Sequence, residues 1–80
     1  MNVLIYGRKV GCQYCTTAKN ICEDKAFDME FIDITEAGLD GAKLQEICGQ
    51  PVRTVPQIFV NGEYVGGCDS FIEYLKENGL

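Results

Sequence analysis

The stretch Asn2-Val3-Leu4-Ile5-Tyr6-Gly7-Arg8-Lys9-Val10-Gly11-Cys12-Gln13-Tyr14-Cys15 decides how the rest of the chain is read. Asn2 to Tyr6 is a short run rich in Val and Ile, which predicts a β-strand, and the Gly7 to Gly11 segment carrying Arg8 and Lys9 predicts a loop after it. From Gln13 onward Tyr14, Cys15, Ala18, Ile21 and Cys22 recur at spacings of three and four, with Lys19, Asn20, Glu23 and Asp24 on the other side. That periodicity predicts an amphipathic helix. The two thiols of Cys12 and Cys15 therefore sit where a strand-to-helix loop becomes a helix.

Working outward, Met29 to Ile34 alternates apolar and acidic residues and reads as a second strand, with Gly38 and Gly41 punctuating the connection after it. Leu44, Ile47 and Cys48 mark a second helix, and Gly49 suits its C-terminal cap. Gln57 to Val60, the pair Asn61-Gly62, and Glu63 to Val65 form the strongest local signal for a two-residue hairpin. Ser70 followed by Glu73 fits a capping box opening a last helix, whose apolar residues Phe71, Ile72 and Leu75 share one side and which Gly79 ends. The order is strand, helix, strand, helix, hairpin, helix, an α/β arrangement whose first unit is expected to make a right-handed parallel crossover.

Eighty residues leave room for one domain, expected to span residues 1–80, with a thin core and short loops. Hydrophobic residues make up 46% and charged residues 24% of the chain, an ordinary globular composition. A net charge of -5 repels nucleic-acid phosphates and anionic lipid, so neither is an expected partner. The longest apolar runs, Val3 to Tyr6 and Gln57 to Val60, are strand-sized and far below the roughly 20 residues of a membrane span. No secretory leader precedes the first strand, which predicts a cytoplasmic location, and a small acidic domain with little spare apolar surface is expected to be a monomer.

Five cysteines stand beside no histidine, which removes a Cys-His protease, a His-ligated zinc site and a His general base. An odd count also argues against a secreted disulfide framework, leaving catalytic, metal-binding or plain core cysteines. A closed zinc site wants four ligands, yet Cys22, Cys48 and Cys68 stand alone with no second C-x-x-C, so no metal is expected. Cys22 and Cys48 fall on apolar stripes and read as small core residues.

Residues three apart on a helix have neighbouring Cβ atoms, close to the separation a disulfide tolerates, so Cys12 and Cys15 can close reversibly. Cys12 would meet the unpaired N–H groups and positive dipole end of the helix, which stabilise a thiolate but not a thiol. Lowering a thiol pKa from about 8.5 to about 6 makes it mostly thiolate at neutral pH, a change of about 3.4 kcal/mol at about 1.36 kcal/mol per unit. A helix terminus supplies up to about 2 kcal/mol, leaving backbone hydrogen bonds and Lys9 to supply the rest. Cys15, inside the first turn and facing the sheet, is expected to act second as the resolving thiol.

Cys12-Gln13-Tyr14-Cys15 is followed by Arg53-Thr54-Val55-Pro56-Gln57-Ile58-Phe59-Val60-Asn61-Gly62 and by Val65-Gly66-Gly67-Cys68-Asp69. In this order and at these distances the segments resemble the glutaredoxin family over essentially the whole chain. The resemblance implies a thioredoxin-like fold, a four-stranded mixed sheet flanked by three helices. It implies glutathione-dependent thiol–disulfide exchange, with glutathione as reductant and co-substrate. The implied partners are disulfide-containing or glutathionylated proteins, ribonucleotide reductase among them.

On the same resemblance Cys12 matches the nucleophile and Cys15 the resolving cysteine. Lys9 matches a basic residue that supports the thiolate, and Tyr14 the aromatic wall of the glutathione groove. Pro56 matches a cis-proline that turns the Val55 backbone, with Thr54 beside it, toward a peptide-like ligand. Gly67, Cys68 and Asp69 match the corner that holds the γ-glutamyl end, Asp69 taking the ammonium; as an acid near a helix start it is equally suited to capping. Lys43, Gln45 and Arg53 are candidates for the glycyl carboxylate.

The chain departs from the family pattern at Gln13, where many dithiol members have proline, in a first loop one residue longer than usual, and in the extended Gln50-Pro51-Val52 segment. Small members encoded by bacteriophages tolerate such loop changes. Some members without the proline hold an iron–sulfur cluster between two chains, which is one alternative function. Another is a redoxin recharged by thioredoxin reductase, a class that lacks the glutathione corner found here in Thr54, Val55, Gly67 and Asp69.

Overall fold

The computed structural model describes residues 1–80. Strand β1 (Asn2–Gly7) leads into helix α1 (Gln13–Asp24) and strand β2 (Asp28–Asp33); helix α2 (Gly41–Cys48), strands β3 (Gln57–Val60) and β4 (Glu63–Gly66) and helix α3 (Cys68–Glu77) follow. The strands form one sheet in the order β2-β1-β3-β4. β1 and β2 are parallel, in register from Asn2 opposite Asp28 to Gly7 opposite Asp33, as the α1 crossover requires. β3 runs antiparallel to both β1 and β4, with an irregularity between Ile58 and Phe59. This is the four-stranded mixed sheet with three helices expected from the sequence.

Alternation along the strands divides the apolar residues between two faces. Val3 and Ile5 of β1 and Ile58 and Val60 of β3 pack with Ala18 and Cys22 of α1 and with Cys68, Phe71 and Leu75 of α3. Phe71, Ile5 and Ile58 are completely buried, each stabilising the fold by about 1.5–3 kcal/mol relative to exposure. A smaller cluster of Ile34, Leu44, Cys48 and Val52 seats α2 and the long connection after it, packed against Tyr6, Phe59 and Tyr64.

Local chemistry sets most boundaries. Asp40 caps α2 by accepting the Lys43 N–H at 2.9 Å, and Gly49 ends it in the left-handed conformation at φ 74°. Asn61 and Gly62 both have positive φ, 50° and 84°, which is the twist a two-residue hairpin turn needs.

The predicted start of the last helix is corrected. α3 begins at Cys68 with Gly67 as its N-cap and no side-chain cap, so Ser70 lies inside the first turn and the Ser70–Glu73 capping box does not form. A single residue separates β4 from α3, and that short connection sets the helix start ahead of the local Ser-x-x-Glu signal.

Candidate active site

Cys12 is the N-cap of α1, with extended backbone at φ -127° and ψ 100°, and its sulfur accepts the Cys15 N–H at 3.1 Å. A capping side chain normally supplies oxygen; here the acceptor is the sulfur that would carry negative charge once reduced, at the positive end of the helix. Cys12 and Cys15 are joined by a disulfide with their Cα atoms 5.3 Å apart, so the chain is described in its oxidised form. The two sulfurs differ in access. Cys12 is half-buried, whereas Cys15 is 1% exposed. The Cys15 sulfur lies over Gly7 and Phe31 and accepts the Arg8 N–H at 3.5 Å.

The long connection from α2 to β3 brings Val55 opposite the pair. Cys12 Sγ lies 3.7 Å from the Val55 carbonyl oxygen, and the Val55–Pro56 peptide is cis. Val55 and Thr54 form one wall of a hollow of about 320 Å³ that is also lined by Tyr14, Pro56, Gly67, Cys68 and Asp69. Small-molecule sites begin at about 300 Å³, so the hollow is at the small end of that range. Tyr14 is 63% exposed, its ring available as a wall, and Asp69 stands exposed in the first turn of α3, whose N-terminus carries no side-chain cap. Gly67 passes close to Pro56: a Cβ there would lie 3.5 Å from the Pro56 carbonyl oxygen. Cys68 differs from its neighbours because its side chain is in the core, leaving its backbone toward the hollow.

A second hollow adjoins the first across Tyr14, Thr54 and Val55. It contains Cys12 and is flanked by Arg8 and Arg53. Of the three candidates for a carboxylate contact, Arg53 lines it, while Lys43 and Gln45 do not.

Lys9 lines neither hollow. Its ammonium pairs with Glu36 at 2.9 Å and its backbone N–H is held by Asp33 at 2.9 Å, so it lies along the end of β2, away from the hollow that contains Cys12. Glu36 holds the Lys9 ammonium protonated above its ordinary range, and hydrogen bonds from the Lys9 and Glu36 backbones hold the Asp33 carboxyl below its own. Of the two basic residues in the first loop, Arg8 lines that hollow and Lys9 does not, which charge pattern alone did not distinguish.

The remaining cysteines are not competing nucleophiles. Cys22, Cys48 and Cys68 are buried and unpaired in disulfides. Burial pushes the Cys22 thiol up to about 11, and burial likewise raises Cys48 and Cys68, so all three stay protonated at neutral pH.

A glutaredoxin family model matches residues 3–65. A glutaredoxin of Vibrio cholerae is 45% identical over 83 aligned positions that cover 98% of this chain and 94% of that protein. Glutaredoxin 1 of Escherichia coli is 40% identical, with coverage of 98% and 96%. The solved structure of oxidised Escherichia coli glutaredoxin superposes with a TM-score of 0.84 at 40% identity, covering 98% of this chain and 96% of that one. A buckwheat glutaredoxin–glutathione complex superposes with a TM-score of 0.78 at 26% identity, covering 95% of this chain and 69% of that one.

Proposed function

The chain belongs to the glutaredoxin family and is a glutathione-dependent thiol–disulfide oxidoreductase, and from that premise we propose that Cys12 is the attacking sulfur, Cys15 the resolving one, and the two adjoining hollows the seat of glutathione. One observation carries the assignment: the more accessible sulfur of the pair caps α1, receives a backbone N–H at 3.1 Å and belongs to the residue that lines the second hollow, next to the Tyr14, Thr54 and Val55 shared with the first.

In the reduced enzyme the Cys12 thiolate attacks one sulfur of a substrate disulfide and expels the other as a thiolate, which takes a proton from solvent. A mixed disulfide forms on Cys12. Cys15 then attacks Cys12 Sγ, giving its proton to solvent and releasing the second substrate thiol, and the Cys12–Cys15 disulfide closes. One glutathione opens this bond to leave glutathionyl-Cys12 and a Cys15 thiol. A second attacks the glutathionyl sulfur, which restores the Cys12 thiolate and yields glutathione disulfide. Two glutathiones thus reduce one disulfide, and a glutathionylated substrate needs Cys12 alone.

For the ligand, the Val55 backbone offers an N–H and a C=O for pairing with a peptide, as an added strand would. Asp69 supplies a carboxylate for the γ-glutamyl ammonium, the N-terminus of α3 favours the γ-glutamyl carboxylate, and Arg8 and Arg53 favour the glycyl carboxylate. The proposed protein partners are disulfide-bearing and glutathionylated proteins, met in a compartment such as the cytoplasm where thiols are kept reduced. No helix is long and apolar enough to cross a membrane.

The test is glutathione-dependent reduction of a small glutathione mixed disulfide and of a protein disulfide by Cys12→Ser and Cys15→Ser. Cys12→Ser is expected to lose both activities, and Cys15→Ser to keep deglutathionylation while losing protein-disulfide reduction. Activity surviving in Cys12→Ser overturns the assignment.

A further inference from the structure

Gln57 is the buried polar residue of the core, 4% exposed, and it lies one position beyond the cis Val55–Pro56 peptide at the start of β3. An amide in that place must satisfy both ends or lose stability. Its Nε2 reaches back to donate to the Thr54 carbonyl oxygen at 2.7 Å. Its Oε1 accepts the hydroxyl proton of Tyr64, which comes from the neighbouring strand β4, and the Tyr64 oxygen in turn accepts from Gln50 Nε2 at 3.4 Å. Tyr64 is itself fixed by its ring, which packs against Phe59 at 5.3 Å between centroids. Burial raises the Tyr64 phenol above its ordinary value, so it remains a donor throughout the neutral range. These bonds lead from the edge strand to the carbonyl immediately before Val55. Neither Gln57 nor Tyr64 lines either hollow beside Cys12.

We infer that Gln57, oriented by Tyr64, is a positioning residue that holds the Thr54–Val55 backbone in the place where it receives the glutathionyl group, and so sets affinity for glutathionylated substrate. The inference rests on the function proposed above and adds to it a determinant that lines neither of the two hollows. A lost hydrogen bond of this kind changes binding by about 3- to 10-fold. The amide is needed because it donates to one oxygen and accepts from another at the same time. A glutamate accepts from Tyr64 but donates to Thr54 only when protonated, and burial raises the pH at which that proton is lost.

The experiment measures KM and kcat for a small glutathione mixed disulfide between pH 5 and 8 (roughly the range over which a buried carboxyl titrates) in the full chain and in Gln57→Glu, Gln57→Leu and Tyr64→Phe, each expressed relative to the unsubstituted chain at the same pH. Gln57→Leu is expected to raise KM by about 3- to 10-fold at every pH, with the change in KM exceeding that in kcat. Gln57→Glu is expected to match it at the alkaline end and to recover toward the parent as pH falls. Tyr64→Phe, nearly isosteric, is expected to raise KM by about 2- to 3-fold and carries the test if the Gln57 variants do not fold. A Gln57→Glu ratio that is flat with pH, or a Tyr64→Phe enzyme with parental KM, overturns the inference. These results are distinct from failure of the proposed function, in which the unsubstituted chain itself would not turn over the glutathionylated substrate.

Discussion

Gly7 closes β1 directly beneath Cys15, the proposed resolving cysteine, and its value lies in what it lacks. A Cβ there would stand 2.8 Å from Cys15 Sγ and 2.9 Å from the Phe31 ring, closer than unbonded atoms sit, so the sulfur occupies space that only glycine leaves open. Gly7→Ala is therefore expected to cost about 1–3 kcal/mol, read from the urea midpoint, by overpacking this contact. Because the displaced group is Cys15, protein-disulfide reduction is expected to fall more than deglutathionylation, for which the proposed mechanism uses only Cys12. Equal loss of both activities would place the damage in the fold as a whole. Lys9 teaches a related point: its ammonium had an acid within reach at Glu36, and the nearest counter-charge decided where it went.

Helix starts separate into two kinds in this chain. Asp40 makes a capping bond to the Lys43 N–H, whereas α3 begins at Gly67 with no side-chain cap and Ser70 already inside the helix. Asp40→Ala is expected to lose about 1 kcal/mol of stability, and Ser70→Ala to remain within about 0.5 kcal/mol of the parent, in parallel thermal or urea unfolding. A Ser70→Ala loss as large as that of Asp40→Ala would restore the capping box. The α1 start belongs to neither kind, since its capping atom is the Cys12 sulfur. Structure and chemistry share one acceptor there: the N–H that any helix start leaves unpaired becomes the donor that favours the thiolate.

Across the whole molecule the apolar residues are unequally shared. The face carrying α1 and α3 has the larger cluster, centred on Ile5, Ile58 and Phe71, while α2 is held by Leu44 and Cys48 against Ile34 and Val52. Less buried apolar surface means a lower free energy of local opening. Amide hydrogen exchange under native conditions is expected to show α2 exchanging ahead of β1, β3 and α1, which should open only with global unfolding. Uniform protection across all three helices would contradict this division. The connection that carries Val52 into the smaller cluster also carries Arg53, Thr54 and Val55 to the site, so this less protected region lies beside the groove that a ligand must enter.

The sequence alone determined which elements form and where the reactive pair sits among them. Strand alternation, helical spacing, the Asn61-Gly62 turn and the Gly49 cap are preferences of neighbouring residues, and a C-x-x-C at a helix start is local as well. The family resemblance added that Thr54 to Pro56 and Gly67 to Asp69 belong together with Tyr14, which no local preference could supply. Tertiary structure decided the remainder. Pairing of β1 with β3 carried Val55 to 3.7 Å from the Cys12 sulfur across more than half the chain. The acids at the end of β2 drew Lys9 aside and left Arg8 beside the site; the one-residue link after β4 overrode the Ser70 signal; and the register of β3 and β4 brought Tyr64 within reach of Gln57. Each depends on groups distant in sequence competing for one position in space, and only the folded chain fixes those distances.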